Sequence, residues 1–162
     1  MYIANKYWDH YIGDTDDSLT LLEYLAGKGK RDISVGEIFA DTGLDQLQWD
    51  FRQADSLSVT VDGMEMEIYY PIDLMMDLAA LLLECKVNDS IKLGDLSGDG
   101  QDQQEICLSA TPQEHGRINQ ALRDFVAEPL TYNLCEMTPE EDLLEMAALV
   151  EELRQELYWN RK

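Results

Sequence analysis

Three aspartates between Asp95 and Glu105 come nearest to a metal-binding pattern in this sequence. Asp95, Asp99 and Asp102 supply carboxylates, and the third, fifth and sixth places counted from Asp95 suit a calcium loop. The twelfth place, where such a loop needs a bidentate glutamate, is Ile106, and the flanking residues have the pattern of strands. We therefore interpret the segment as a solvated acidic loop and predict no metal site.

Nucleophilic or zinc chemistry would require the histidines and cysteines to converge. His10 and His115 have no partner at metal-ligand spacing, and Cys85, Cys107 and Cys135 are widely separated and form no CxxC pair. The sequence places no cysteine beside a histidine, so we interpret the cysteines as small core residues in a reducing cytosol. No glycine-rich loop with a lysine follows a strand. We predict neither a cofactor nor an enzymatic activity.

The strongest chemical feature is the charge, which is −21 over 162 residues. Phosphate contacts need lysine and arginine, so this charge argues against direct nucleic-acid binding and against anionic membranes. It favours a basic protein partner, bound cations, or solubility alone. The charge is also uneven, because Arg52 is the only basic residue between Asp32 and Cys85 and there is none between Asp124 and Leu153. Local acidic faces therefore follow whatever the fold.

Acidic residues in predicted loops and short helices are the candidates for partner binding, because binding groups often lie there. Trp49, beside one of them, is either a binding anchor or a core residue. A further group, Asp14, Asp16 and Asp17, is explained by capping of a helix that Thr15 begins. The candidate partner-binding residues are Asp41, Asp45, Trp49, Asp50, Asp95, Asp99 and Asp102.

The stretch from Met64 to Lys86 organises the elements that must position these groups. It alternates as a strand up to Pro71 and then becomes apolar around almost its whole circumference, which predicts a helix buried on several sides. Its acids, Asp73, Asp77 and Glu84, fall in one narrow stripe. We predict a central helix with this acidic ridge reaching water.

Start and turn patterns place the other elements around that helix. Ser34 with Glu37, and Thr111 with Glu114, have capping-box spacing, and Asp62-Gly63 between two alternating runs predicts a hairpin. The order of helices and strands predicts an α+β fold with one small, mostly antiparallel sheet of about four strands. We expect residues 1–162 to form a single globular domain, with 138–162 as a C-terminal helix packed on it.

Nothing in the sequence predicts export or membrane insertion. The first residues lack the apolar run of a signal peptide, and the longest apolar run, Leu78 to Leu83, is far too short to span a bilayer. A cytoplasmic location is therefore expected.

Two stretches, Tyr7 to Asp14 and Ile68 to Lys86, suggest a family. With them, and in its size and charge, the chain resembles the small acidic immunity proteins of bacterial polymorphic-toxin systems, including contact-dependent inhibition. The resemblance is one of size, charge and style, and no diagnostic motif carries it. It implies a protein that neutralises a cognate basic toxin domain, often a nuclease, by docking a carboxylate-rich face on the toxin's active site.

Three alternatives of other classes stay open at this point. A DNA-mimic inhibitor would need its carboxylates in two rows at phosphate-like spacing. An acidic scaffold or adaptor would use a methionine-rich surface around Met75 and Met76. The last alternative is an uncharacterised cytosolic domain without catalysis, in which the acidity serves solubility.

Overall fold

A computed structural model describes residues 1–97 and 103–158. Helices and strands are mixed along the chain, and short 3-10 turns at Leu44–Gln46, Pro129–Thr131 and Asn133–Glu136 join some of them. In chain order the elements are α1 (Tyr2–Lys6), α2 (Asp16–Gly27), β1 (Asp32–Ser34), α3 (Val35–Thr42), β2 (Leu57–Val61), β3 (Met64–Ile68), α4 (Pro71–Asn88), β4 (Ile91–Lys92), α5 (Leu93–Ser97), β5 (Glu105–Ser109), α6 (Pro112–Ala127) and α7 (Glu140–Tyr158).

The α+β class is confirmed, but the strands of the described residues divide between two small sheets. One sheet has the order β1-β5-β4, with β1 parallel and β4 antiparallel to β5. The other is the β2-β3 hairpin. The expected number of about four strands is approximate, because Asp32–Ser34 was interpreted only from the capping pattern at Ser34, and the single expected sheet is instead two.

The predicted hairpin and helix starts are confirmed. Asp62 and Gly63 have φ of 51° and 80°, the two positive values that a type I′ turn requires. Ser34 and Thr111 each form a complete capping box with the glutamate three residues on. The Thr15 hydroxyl accepts a hydrogen bond from the third backbone N–H after it, at 3.0 Å. Local chemistry thus fixes these boundaries before any packing is considered.

Helix α4 lies at the centre, as expected, with α1, α2, α6, α7 and β5 packed around it. The predicted acidic ridge does not reach water: Asp73, Asp77 and Glu84 are only 3%, 1% and 1% exposed. The first eighteen residues cover this stripe, since the Ile3 N–H donates to Glu84 at 2.9 Å and the Ser18 hydroxyl donates to Asp77 at 2.7 Å. The ridge prediction was wrong because it assigned no covering segment to these acids.

Burial on the other sides of α4 also affects one of the functional alternatives. Met75 and Met76 are both buried in the core, so they provide no methionine-rich surface for a scaffold. The same core continues through residues of every layer, from Ile3 to Leu157. Within the described ranges, no helix combines the length and the apolar character needed to cross a membrane.

The N-terminal segment is held against α7 by polar contacts far apart in sequence. Tyr2, Lys6 and Tyr7 all donate hydrogen bonds to the carboxylate of Glu156. Burial and the neighbouring carboxylate raise the pKa of Tyr7 above its ordinary value, so its hydroxyl remains a donor. The N-terminal segment is thus a short helix, α1, followed by a tight hook.

The hook from Tyr7 to Gly13 depends on a close approach between a glycine and an indole. Gly13 has φ +83°, and a Cβ on it would lie 2.2 Å from Cδ2 of the buried Trp8. We expect Gly13→Ala to lower the free energy of unfolding by about 3 kcal/mol, through backbone strain and overpacking together. Urea denaturation monitored by tryptophan fluorescence measures this change.

Gly29→Ala is the matched control for the hook. Gly29 has φ +65° but nothing within 4 Å of a new Cβ, so it should cost only the backbone term of about 1 kcal/mol. Equal losses in the two variants would show that the contact with Trp8 contributes nothing.

Candidate functional site

Asp41, the first predicted binding residue, holds two helices together. Its carboxylate accepts hydrogen bonds from the Tyr24 hydroxyl of α2 at 2.5 Å and from the ammonium of Lys28, the C-cap residue of α2, at 2.9 Å. These contacts, with the Tyr24 hydrogen bond foremost, lower the pKa of Asp41. The side chain is nevertheless partly exposed at the end of α3, so it retains a surface position beside its structural one.

Asp45, Trp49 and Asp50 lie in the segment between α3 and β2. Both aspartates are exposed, and Asp50 accepts the backbone N–H of Arg52 at 3.1 Å. Trp49 is half-buried with its ring 5.0 Å from that of Phe39. The structure therefore brings these three predicted residues into one short segment, with the tryptophan packed against the core.

The outer side of Trp49 carries a cation. The guanidinium carbon of Arg117, from α6, lies 4.9 Å from the indole centroid, within the range of a cation–π interaction. Of the remaining predicted residues, only Asp95 lies within the described ranges. Asp95 is exposed on α5, whereas Asp99 and Asp102 lie outside the described residues.

The cysteines and one histidine prove closer together than the sequence indicated. Cys85, Cys107 and His115 line a common cavity of about 680 Å³ together with Tyr158, although Cys135 is exposed and not in the core. Burial raises the pKa of the Cys85 thiol to about 11, so it is protonated at neutral pH and is a weak nucleophile. His115 is bonded at Nδ1 to the Tyr158 hydroxyl at 3.2 Å. The cavity has the residue types of a thiol site without an activated thiol.

A second cluster, of buried carboxyl groups, lies where α2 meets the start of α4. Asp17 accepts the backbone N–H groups of Tyr69 and Tyr70, at 2.7 and 2.8 Å. Both N–H groups lie at the amino end of α4, where backbone donors have no acceptor within the helix. The side chain of Tyr70, the N-cap residue of α4, forms no capping bond. Asp17 therefore caps α4 from another helix, a role beyond the capping of α2 that the sequence suggested.

Asp77 lies one turn further into the cluster. Its carboxyl group accepts hydrogen bonds from the Ser18 hydroxyl and from the backbone N–H of Gly13. Burial is the main cause that raises the pKa of Asp77 to about 7, and the charges of Asp17 and Asp14 add to it. The folded protein thus holds a proton on this group well above the pH at which an exposed aspartate loses one.

Asp73 is the least satisfied member of the cluster. It is nearly fully buried, and its Oδ1 has no hydrogen-bond partner within the part of the chain that the structure describes. Burial first, and then the neighbouring charges of Asp77 and Asp17, raise the pKa of Asp73 well above its ordinary value. Asp17 and Asp73 interact closely enough to share one proton. Because Asp17 already accepts two N–H groups, that proton belongs on Asp73 and the negative charge on Asp17.

Asp17 and Asp73 line a cavity that opens to the surface, which we call the Tyr69 pit. Its volume is about 440 Å³. Its lining includes two buried acids, Asp17 and Asp73, and two large exposed side chains that form its rim: Tyr69, which is 50% exposed, and Met137, which is 72% exposed. The full lining is Thr15, Asp16, Asp17, Tyr69, Tyr70, Asp73, Leu134, Met137 and Thr138.

Exposed tyrosine and methionine beside buried carboxyl groups form the kind of surface that proteins use to bind one another. This site was not predicted from the sequence, where Asp17 was assigned to capping and Asp73 to a solvated ridge. The available indication was an aspartate in an otherwise apolar helix, next to a tyrosine at the strand-to-helix junction.

The ion pairs of the described chain lie elsewhere. They use carboxylates outside the Tyr69 pit, namely those of Asp32, Glu37, Asp41, Asp50, Glu128, Glu151, Glu152 and Glu156. Among the same residues, no group of three or more histidine, cysteine, aspartate or glutamate side chains could hold a metal ion. The pit is therefore acidic and lacks an ion-pair partner of its own in the described chain.

Comparison with known proteins adds a family to this geometry. A family model described as Immunity protein 68 matches residues 2–157, nearly the whole chain, and confirms the resemblance to immunity proteins. No curated protein and no solved structure matches the chain significantly.

The protonated Asp77 makes stability depend on pH. The unfolded chain loses this proton at about pH 4 and the folded chain at about pH 7, so its contribution is complete below the first value and lost as the pH rises through the second. We expect Asp77→Asn to gain about 2 kcal/mol relative to the wild type between about pH 5 and about pH 8. Denaturant titrations across this range measure the difference.

Asp32→Asn, which neutralises an exposed carboxylate, is the control for a change of net charge. It should leave the pH profile of the wild type unchanged. A wild-type profile that Asp77→Asn does not alter would contradict the raised pKa of Asp77.

Proposed function

The chain belongs to the Immunity protein 68 family, and we propose that it neutralises a cognate toxin domain by binding it and covering its active site. The family match is the observation that carries this proposal. The mechanism is binding without catalysis, consistent with a Cys85 thiol that stays protonated. We propose that the neutralisation takes place in the cytoplasm of the bacterial cell in which the toxin acts.

We propose further that the toxin domain is basic. A charge of −21 produces a strong field around a chain of this size, and opposite fields accelerate the encounter of two proteins. The internal ion pairs occupy only part of the carboxylates, which leaves a large acidic surplus for a partner. A nuclease is one class of toxin with the required basic cleft, since it must bind phosphates.

The proposed binding surface includes the exposed acids predicted from sequence and the Tyr69 pit. Asp41, Asp45, Asp50 and Asp95 supply charge, and Trp49 an aromatic group. Asp99 and Asp102 are included in the proposed surface on the basis of the sequence alone.

Two short 3-10 turns connect the segment after Asp50 with the pit. The Asn133 N–H donates to the carbonyl of Arg52 at 2.7 Å, and the Gln53 amide donates to that of Thr131 at 2.7 Å. The same stretch then contributes Leu134 and Met137 to the pit. A toxin domain that bridges this segment and the Tyr69 pit would contact the exposed acids near Trp49 and the acids of the pit at once.

Capture from the native cell tests the function. The tagged protein is incubated with lysate at low and high salt, and retained proteins are identified by mass spectrometry. We expect one basic toxin domain to remain at high salt, because apolar anchors set the dissociation rate. Co-expression of that domain with the immunity protein should then restore growth of cells that the domain alone arrests.

Retention of abundant basic proteins only, all removed by salt, would contradict the proposal and leave the acidity as a solubility feature. A captured toxin domain whose effect on growth is unchanged by co-expression would also overturn it.

Association kinetics test the basic character of the partner. We expect the association rate with the captured toxin domain to fall steeply with salt while the dissociation rate changes little. Asp45→Lys should slow association about tenfold at low salt, because it reverses a charge on the proposed surface. Surface plasmon resonance measures both rates.

Asp32→Lys changes net charge equally on a residue outside the proposed surface and should have a smaller effect. Equal slowing by Asp45→Lys and Asp32→Lys would remove Asp45 from the interface, and a salt-independent association rate would contradict steering.

A further inference from the structure

The floor of the Tyr69 pit holds a carboxyl group whose polar needs the fold leaves unmet. Asp73 is 3% exposed, lines the pit, and has no hydrogen-bond partner for Oδ1 among the described residues. A buried polar atom without a partner costs free energy, and native structures rarely retain one without a reason. Asp17 beside it is different, because both of its oxygens accept backbone N–H groups. Asp73 is therefore the group in the pit with capacity for an external donor.

The walls of the pit suit a long side chain with a charged end. Met137 and the ring of Tyr69 are exposed at the rim, and the lining then continues through the buried Leu134 to the buried carboxyl groups of Asp17 and Asp73. Lysine and arginine have this character, an aliphatic stem ending in a cation with several N–H donors. The stem would pack against the methionine and the tyrosine while the cation reaches Asp73.

The electrostatic field at the floor favours a cation, and the described chain supplies none. The charged and titratable groups that face Asp73 are Asp77 on α4, and Asp14 and Asp17 at the start of α2. Glu136 faces the nearby Tyr70. Asp16 also lines the pit. No ion pair of the described residues involves the acids of the pit.

We propose that the Tyr69 pit receives the side chain of one lysine or arginine of the toxin domain, with Asp73 as its carboxylate partner. This inference rests on the proposed function, because the toxin domain supplies the side chain. It adds a specific anchor to a mechanism that otherwise depends on diffuse charge. Such an anchor, desolvated and central to a contact, has the properties of a binding hot spot.

Occupation of the pit displaces a proton. In the free protein the proton on Asp73 lowers the repulsion among the clustered acids. When a lysine ammonium or arginine guanidinium enters, Asp73 becomes the carboxylate and its proton passes to solvent. Free protein thus holds one proton more than the complex, so affinity rises with pH until Asp73 of the free protein is itself ionised.

Two neutral variants of the same helix separate the pit from the rest of the cluster. Asp73→Asn removes the partner of the cation. Asp77→Asn removes a carboxyl group that is just as buried but faces Ser18 and does not line the pit. We expect Asp73→Asn to weaken binding of the captured toxin domain about 30-fold or more, and Asp77→Asn to change it less than about threefold.

Isothermal titration calorimetry in buffers of different ionisation enthalpy measures the proton. The wild type and Asp77→Asn should release one proton near neutral pH, and Asp73→Asn should release none. Met137→Ala at the rim should weaken binding without loss of stability. Leu130 is another exposed apolar residue but lies outside the pit, so Leu130→Ala should change neither binding nor stability.

Unchanged affinity and unchanged proton release in Asp73→Asn would overturn the inference and leave the proposed function standing, because toxin binding itself would persist. Failure of any toxin domain to bind wild-type protein would overturn the proposed function, and the toxin anchor would fail with it.

An independent probe then still decides whether the pit takes cations. The Asp73 side-chain carboxyl resonance is followed by NMR during titration with n-butylammonium or n-propylguanidinium, against 1-butanol. A lower apparent pKa of Asp73 with the cations, but not with the alcohol, supports a cation pit. No response to either cation overturns it.

Discussion

Burial of three carboxyl groups along α4 is the constraint on which the rest of the structure depends. An apolar helix carrying Asp73, Asp77 and Glu84 can enter a core only if other segments supply donors or protons. Glu84 obtains the N–H of Ile3, and Asp77 obtains Ser18 and a proton. The first eighteen residues are therefore fixed by the electrostatic demands of α4 as much as by their own apolar side chains.

The same constraint leaves Asp73 as the exception. It lies at the junction where β3 ends and α4 begins, and the adjacent backbone donors are taken by Asp17. An acid at this point destabilises the free protein slightly when ionised, which is the usual relation between a binding site and the stability of its scaffold. The ion pairs of the described residues lie at other places, so within the described ranges no ion pair neutralises the acids of the pit.

Much of the fold was predictable because it depends on local chemistry. The Asp62-Gly63 turn, the capping boxes of Ser34 and Thr111 and the central position of α4 all follow from neighbouring residues. The parallel pairing of β1 with β5 was not predictable, since Ile33 and Leu108 are far apart in sequence. The Tyr69 pit was missed for the same reason, because it joins α2, the hairpin end and the turn before α7. For Trp49 the sequence left core and anchor open, and the structure shows its ring both against Phe39 and within cation–π distance of Arg117.

The clasp between the N-terminal segment and Glu156 joins residues about 150 positions apart. During synthesis on the ribosome, α4 emerges long before α7, which begins at Glu140. Until α7 follows, one side of the central helix lacks its cover, and Tyr2, Lys6 and Tyr7 lack their acceptor. The order of translation therefore makes α7 the element that closes the core, and nascent chains that stop before it present α4 to chaperones and proteases.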